Sequence, residues 1–289
     1  MTTSRRVALP LSALLFTEKP MAQKLGLILE GGGVKGIYQL GALEALYEAG
    51  VHFDGVAGTS IGALNGAVLV SEGVGRLAEL WDKVNLSDAF ELDEEWLAKF
   101  KHKDFDLDLV TYAGKKLATV HSVIKDSYTR AENFVYSNIS EDKVRGSKMD
   151  FGMVTYNITD MQPVELMKED IPKGKLVDYV VASASFPIFP AKEIDGKKYI
   201  DGGVYDNMPV NLLARHGYDK LIVIRTNVAS KPPKRMIERD DLDITYIMPN
   251  TDLGRPMAFN EAKFDTMRKM GYKDALRLLD NGRILPYNN

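Results

Sequence analysis

The chain has 289 residues, 45% hydrophobic and 27% charged, a composition typical of one globular domain with a sizeable core. Its formal net charge is -3, with 37 basic and 40 acidic residues. That balance argues against a nucleic-acid-binding protein, because such proteins carry a basic excess on the binding face. The absence of cysteine excludes disulfides, thiolate metal sites and a cysteine nucleophile, and it fits a cytoplasmic location.

The first twenty residues differ in character from the rest. Two arginines precede an apolar stretch at residues 7–16, as in a signal peptide, but Glu18 and Lys19 then stand where small residues are expected. We therefore expect residues 1–20 to be a dispensable extension, with Met21 as an alternative start and secretion as the competing interpretation. No run of 18 apolar residues occurs, so no transmembrane helix is predicted.

A glycine-rich loop follows the first predicted strand. Residues 25–29 form an apolar run, typical of a strand buried on both faces of a parallel sheet. The loop Gly31-Gly32-Gly33-Val34-Lys35-Gly36 comes next, and apolar residues then recur with helical spacing up to Gly50. The loop matches the G-x-G-x-x-G dinucleotide fingerprint, but its consecutive glycines could equally expose backbone N–H groups as an oxyanion hole.

The stretch Gly58-Thr59-Ser60-Ile61-Gly62 is typical of a nucleophile elbow. It lies between an apolar run at residues 53–56 and a helical stretch at residues 63–70. A serine in such a strained turn projects its hydroxyl from the backbone, and the residues two before and two after it must lack a Cβ. The competing interpretation is a helix N-cap. A dinucleotide site would need an acidic residue at the end of this strand, whereas Asp54 stands at its start, so the oxyanion-hole interpretation is favoured.

The remaining chain alternates between helical and strand-like segments. Residues 75–147 are mostly helical and charged, and they predict an insertion or lid, or a plain helical layer. Asp195-Gly196 predicts a hairpin turn that delivers Asp201-Gly202-Gly203. Further strands are predicted at 149–157, 163–167, 221–224 and 244–248, and helices at 176–183, after Pro209 and at 258–279.

Taken in order, these motifs resemble the patatin-like phospholipases over residues 24–280. The resemblance rests on the glycine loop, the Ser60 elbow and the Asp201-Gly202-Gly203 turn, supported by Ala182-Ser183-Ala184-Ser185-Phe186-Pro187 and Val204-Tyr205-Asp206-Asn207-Met208-Pro209. It implies a three-layer α/β/α fold with a mostly parallel central sheet in a single domain, residues 21–289.

The resemblance also implies a serine–aspartate dyad. Ser60 would be the nucleophile and Asp201 the base, with an oxyanion hole at Gly32 and Gly33 and no metal or cofactor. The substrate would be a lipid ester, with peripheral contact to a membrane; the oligomeric state is not indicated. Lys35 would orient the loop or meet a phosphate group, unless it is an ordinary solvated lysine. The supporting residues are Gly31, Lys35, Gly36, Gly58, Gly62, Gly202 and Gly203.

The histidines agree with a dyad. A conventional triad in the order Ser, Asp, His needs a histidine after Asp201, and only His216 follows it. We therefore expect all four histidines to be structural or solvated. The competing functions are a dinucleotide-binding oxidoreductase, argued from the glycine loop alone, and a non-catalytic lipid-binding protein of the same fold.

Overall fold

An eight-stranded sheet forms the centre of the protein. The structure is a computed structural model that describes residues 23–83, 121–231, 233–256 and 261–284. Its strands are β1 (Leu25–Leu29), β2 (Gly55–Thr59), β3 (Asp150–Asn157), β4 (Gln162–Met167), β5 (Lys192–Ile194), β6 (Lys197–Asp201), β7 (Lys220–Ile224) and β8 (Asp243–Ile247). Its helices are α1 (Gly36–Glu48), α2 (Ile61–Lys83), α3 (His121–Asn138), α4 (Glu141–Gly146), α5 (Leu176–Ser183), α6 (Val210–Ala214) and α7 (Glu261–Asp280).

Five strands run parallel in the order β3-β2-β1-β7-β8. The strands β4 and β6 pair antiparallel with β3, and β5 pairs antiparallel with β6. The predicted α/β class with a mostly parallel central sheet is therefore confirmed. In a parallel sheet the carboxyl ends of the strands lie at one edge, where the loops that carry function emerge.

The core lies on both faces of the sheet. Leu27 and Leu29 of β1 belong to a cluster with residues of α1, α2 and α7, whereas Ile28 belongs to a cluster with residues of α6. Successive side chains of a strand point to opposite faces, so β1 is apolar at every position except Gly26. Among the described helices, the second outer layer is contributed by the short α6, assisted by loop residues.

Two strands meet head to head beside β3. Along one edge of β3, residues 152–157 pair with β4. Along the opposite edge, residues 150–154 pair with β2 and residues 155–157 pair with β6. The strands β2 and β6 approach from opposite directions: Thr59 pairs with Val154, and Asp201 pairs with Thr155. The end of β2 and the end of β6 therefore meet at adjacent residues of β3.

The second strand ends at the elbow, as predicted, but it begins later than the apolar run that marks it in the sequence. The sequence favours residues 53–56, but β2 begins at Gly55 and continues to Thr59. Its residues are small because neighbouring groups crowd them; a Cβ at Gly55 would lie 2.2 Å from the Tyr218 hydroxyl oxygen. Such a strand lacks the bulky side chains that make strands recognisable, and the buried Phe53 lies in the loop before it.

Part of the predicted helical insertion is described. The helix α2 runs through residue 75 to Lys83, with a break in its helical backbone at Gly73, and α3 and α4 lie within the predicted range. Residues 84–120, the extension at residues 1–20 with Met21, and the predicted start of the last helix at residue 258 lie outside the described residues. Within the described ranges, no helix has the length and apolar character needed to cross a membrane.

Candidate active site

Ser60 occupies a strained turn between β2 and α2. Its φ is 58°, in the left-handed region that non-glycine residues seldom adopt. The glycines on either side are required by close backbone contacts. A Cβ at Gly58 would lie 2.3 Å from the carbonyl carbon of Gly62, and a Cβ at Gly62 would lie 2.1 Å from the carbonyl oxygen of Leu29. The backbone is therefore that of the predicted elbow.

The Ser60 hydroxyl donates a hydrogen bond to the carboxylate of Asp201. Ser60 Oγ lies 2.6 Å from Asp201 Oδ2, and the N–H of Gly203 donates to Asp201 Oδ1 at 2.8 Å. Only 2% of Asp201 is exposed. Burial raises the pKa of the Asp201 carboxyl to about 7, although the hydrogen bonds from Ser60 and Gly203 act in the opposite direction. A carboxylate with this pKa is a stronger base than a solvated aspartate.

The glycine loop lies beside the turn that carries Asp201. Asn207 joins the two, because its backbone carbonyl accepts from the N–H of Gly31 and its side-chain amide donates to the carbonyl of Gly31. Asn207 Oδ1 is so close that a Cβ at Gly31 would lie 2.2 Å from it, and one at Gly203 would lie 2.8 Å from it. Gly202 is equally crowded, since its Cβ would lie 2.1 Å from the carbonyl oxygen of Val154.

The N–H groups of Gly32 and Gly33 find no hydrogen-bond acceptor among the described residues, and both glycines are partly exposed. The φ of Gly33 is 58°, and the next N–H, that of Val34, donates to the carbonyl of Pro256. A short 3-10 turn then leads into α1, which begins at Gly36. A Cβ at Gly36 would lie 2.4 Å from the Ile61 side chain, so α1 begins directly against the elbow.

Lys35 is a buried residue, only 4% exposed, and so is not a solvated surface lysine. Its Nζ donates to Asn227 Oδ1 at 2.9 Å. The carboxylate of Glu30 accepts from the N–H groups of Thr226 and Asn227, and it forms an ion pair with Arg225. Burial lowers the pKa of Lys35 to about 8, partly offset by the charge of Glu30. These hydrogen bonds and this ion pair form a polar cluster that holds both ends of the glycine loop, at Glu30 and Lys35.

Ser183 and Ser185 also contact the site, although the sequence motif that contains them did not predict a role for either. Ser183 Oγ accepts a hydrogen bond from the N–H of Ser60, and the carbonyl of Ser185 accepts from the N–H of Asp201. The hydroxyl groups of Tyr128 and Ser185 lie 3.2 Å apart, so α3 borders this region. The available signal was the run of small residues 182–185 across the end of α5, which predicts close packing but not hydrogen bonds to the dyad.

His216, His52 and Asp54 lie away from the dyad. His216 is exposed, and its Nδ1 lies 2.8 Å from the carbonyl oxygen of Leu212. His52 is exposed and contacts the ring of Tyr47, while His102 lies outside the described residues. Asp54 accepts from the N–H of Leu25, at the amino ends of the parallel strands and far from the glycine loop. It therefore does not supply the acidic residue of a dinucleotide site.

A comparison with protein families agrees with the geometry. The family model described as patatin-like phospholipase matches residues 27–214, well over half of the chain. The chain belongs to the patatin-like phospholipase family. The matched range contains the glycine loop, the Ser60 elbow and the Asp201 turn. Within the described residues of this patatin-like chain, no cluster of three or more potential metal ligands occurs.

The fungal relatives are much longer than this patatin-like chain. A lysophospholipase nte1 of Aspergillus terreus is 27% identical over 215 residues, which span 70% of this chain and 12% of the relative. The lysophospholipase NTE1 of Saccharomyces cerevisiae is 25% identical over 282 residues, spanning 91% of this chain and 14% of the relative. The chain thus corresponds to a small part of these proteins.

The fold of this chain is similar to that of a solved structure. The crystal structure of VipD from Legionella pneumophila matches with a TM-score of 0.54 and 16% identity, covering 90% of this chain and 67% of that protein. At this identity the match concerns the fold alone. It agrees with the α/β class that the patatin resemblance implies.

Proposed function

We propose that this protein is a lipid acyl hydrolase that uses Ser60 and Asp201 as a catalytic dyad and forms an acyl-enzyme. The observation that carries the proposal is the 2.6 Å hydrogen bond from Ser60 Oγ to a buried carboxylate, with the serine in a strained elbow. A binding protein has no need for an activated hydroxyl in a costly backbone conformation.

In the first step, Asp201 Oδ2 accepts the proton of the Ser60 hydroxyl as the oxygen attacks the ester carbonyl. The tetrahedral intermediate then collapses, and the leaving alcohol takes the proton from Asp201. Water attacks the acyl-enzyme by the same route and releases the fatty acid. No third residue is required, because Asp201 contacts the nucleophile directly.

The N–H groups of Gly32 and Gly33 would hold the oxyanion of the tetrahedral intermediate. Three observations support this role: both glycines are partly exposed, neither N–H finds an acceptor among the described residues, and α1 begins just after them. The positive end of a helix dipole favours negative charge at that position. The second helix to begin at the site, α2, starts directly after Ser60 and acts in the same sense.

The substrate that we propose is a lysophospholipid or a related lipid ester, taken up by peripheral contact with a membrane. The support is family membership together with the lysophospholipase names of the fungal relatives. Lysophosphatidylcholine is therefore the first substrate to test, with diacyl phospholipid and neutral acylglycerol beside it.

The test is the rate of fatty-acid release by the wild type and three variants. Ser60→Ala and Asp201→Asn should each lower kcat/KM by about a thousandfold or more, because the nucleophile and its base act as a unit. His216→Ala is the matched control and should keep kcat/KM within about twofold of the wild type. Near-wild-type turnover by Asp201→Asn would contradict the dyad, and loss of activity in His216→Ala would then point to His216 as the base.

A further inference from the structure

The segment that ends α5 holds the main chain of both dyad residues. Ser183 is the last residue of α5 and is fully buried. Its Oγ accepts a hydrogen bond from the N–H of Ser60 at 3.0 Å and donates one to the carbonyl of Val154 at 2.7 Å. Two residues later, the carbonyl of Ser185 accepts from the N–H of Asp201 at 2.8 Å.

The Val154 carbonyl marks the junction between the strands that carry the dyad. Val154 pairs with Thr59 at the end of β2, and the next residue of β3 pairs with Asp201 at the end of β6. The carbonyl also lies against the following turn, since a Cβ at Gly202 would approach it to 2.1 Å. A single hydroxyl thus links the backbone of the nucleophile to the point where β2 and β6 meet.

The backbone of the elbow requires a hydrogen-bond acceptor for the N–H of Ser60. Ser60 follows the last residue of β2 and precedes the first of α2, so its N–H belongs to neither hydrogen-bonding pattern. An unpaired N–H in a partly buried turn is costly, and the φ of 58° adds strain. Ser183 can satisfy the N–H and the Val154 carbonyl together, because a hydroxyl both accepts and donates. Alanine can satisfy neither.

We propose that Ser183 is a positioning residue, which holds the elbow so that the Ser60 hydroxyl points at Asp201. The proposal rests on the dyad function proposed above. Ser183 does not touch the reacting atoms; it acts through the backbone of Ser60. Without it, the elbow can relax towards a more common φ, and the 2.6 Å contact between Ser60 and Asp201 is lost.

The experiment compares Ser183→Ala with Ser127→Ala in full-length protein. Ser127 is also fully buried, but its hydroxyl accepts from Arg130 rather than from the dyad, so it controls for the loss of a buried hydroxyl. Hydrolysis of p-nitrophenyl butyrate gives kcat, KM and the pH profile, and a fluorophosphonate counts the active sites. For Ser183→Ala we expect kcat per active site to fall about 10- to 100-fold with little change in KM.

The pH profile of kcat distinguishes a positioning role of Ser183 from a purely structural one. The hydrogen bond from Ser60 lowers the pKa of Asp201, so losing it should move the midpoint of the kcat profile to higher pH. Ser127→Ala should keep the wild-type kcat and midpoint. A purely structural Ser183 would reduce the number of active sites while leaving kcat per site and the midpoint unchanged, and that result would overturn the proposal.

A second variant covers the case in which Ser183→Ala does not fold. Ser183→Cys keeps a similar volume with a weaker donor and acceptor, and we expect it to show the same changes at smaller size. Wild-type kcat and midpoint in Ser183→Cys, or loss of folded protein in both variants, would reject the positioning role. A wild type that neither reacts with the fluorophosphonate nor hydrolyses esters would instead reject the dyad function itself.

Discussion

Burial is the property that makes Asp201 useful as a base. A solvated aspartate has a pKa near 4 and holds a proton too weakly for efficient general-base catalysis at neutral pH. Asp201 is 2% exposed, and its pKa rises to about 7 for that reason. The cost of the buried charge is reduced by the N–H of Gly203 and the hydroxyl of Ser60, both of which donate to the carboxylate.

The raised pKa of Asp201 predicts a pH-dependent gain in stability for Asp201→Asn. In the wild type, the unfolded carboxyl ionises above about 4, whereas the folded one stays protonated until about 7, so the contribution of Asp201 to stability falls as pH rises through that range. Asparagine does not titrate. Relative to the wild type, the variant should therefore gain up to about 4 kcal/mol between pH 4 and pH 8.

Thermal unfolding of the two proteins from pH 4 to pH 8 measures this difference. Ser60→Ala is a suitable control, because it retains the titrating carboxylate: its stability relative to Asp201→Asn should also change with pH, with a midpoint at higher pH because the hydrogen bond from Ser60 is lost. A Tm difference between Asp201→Asn and the wild type that stays constant with pH would contradict a raised pKa at Asp201.

At the scale of single residues, the sequence predicts those that belong to recognisable motifs. Ser60 and Asp201 stand out because glycines surround them, and those glycines relieve backbone contacts that can be anticipated. Ser183 and Asn207 could not be assigned roles in this way. Each acts through hydrogen bonds to the backbone of a distant segment, and such bonds leave no periodic or spacing signal.

At the scale of elements, the site depends on how closely α2 approaches β1. Gly62, in the first turn of α2, lies against the carbonyl oxygen of Leu29 at the end of β1. A Cβ at residue 62 would lie 2.1 Å from this backbone oxygen, and no side-chain rotation could relieve that contact. The position of the elbow relative to the glycine loop is thereby fixed by an approach that only glycine permits.

We therefore expect opposite effects from two glycine substitutions in α2. Gly62→Ala should destabilise the protein by about 1–3 kcal/mol and lower kcat, because the added methyl group must push α2 away from β1. Gly75→Ala is the matched control. A Cβ there would meet nothing within 4 Å, and alanine should stabilise this exposed helical position by up to about 1 kcal/mol.

Urea unfolding and ester hydrolysis of both variants test this difference. Equal stability of Gly62→Ala and Gly75→Ala, with wild-type kcat in both, would show that the approach of α2 to β1 does not constrain the site.

Element types were predictable where apolar periodicity was strong. Buried runs predict β1 and β7, and Asp195-Gly196 predicts the hairpin of β5 and β6, in which both turn residues have positive φ. The start of β2 was not predictable, because its small residues are selected by neighbours such as Tyr218 rather than by burial of their own side chains.

At the scale of the whole molecule, the dyad exists because two strands from distant parts of the chain meet on β3. The sequence predicts a mostly parallel sheet from its buried runs, but it does not predict which strands become neighbours. The head-to-head arrangement of β2 and β6 depends on long-range pairing with β3, and this pairing brings Ser60 to Asp201. The resemblance to a known family implied that Ser60 and Asp201 act together; it did not give the strand pairing that brings them into contact.

Covalent labelling tests the central claim, an activated serine at position 60, most directly. The purified wild type, Ser60→Ala and Ser230→Ala would be treated with a fluorophosphonate and weighed by intact-mass spectrometry; Ser230 is an exposed serine outside the motifs described above. We predict one adduct on the wild type and on Ser230→Ala, mapping to Ser60, and none on Ser60→Ala. An adduct that persists on Ser60→Ala, or no adduct on the wild type even with lipid micelles present, would contradict the account.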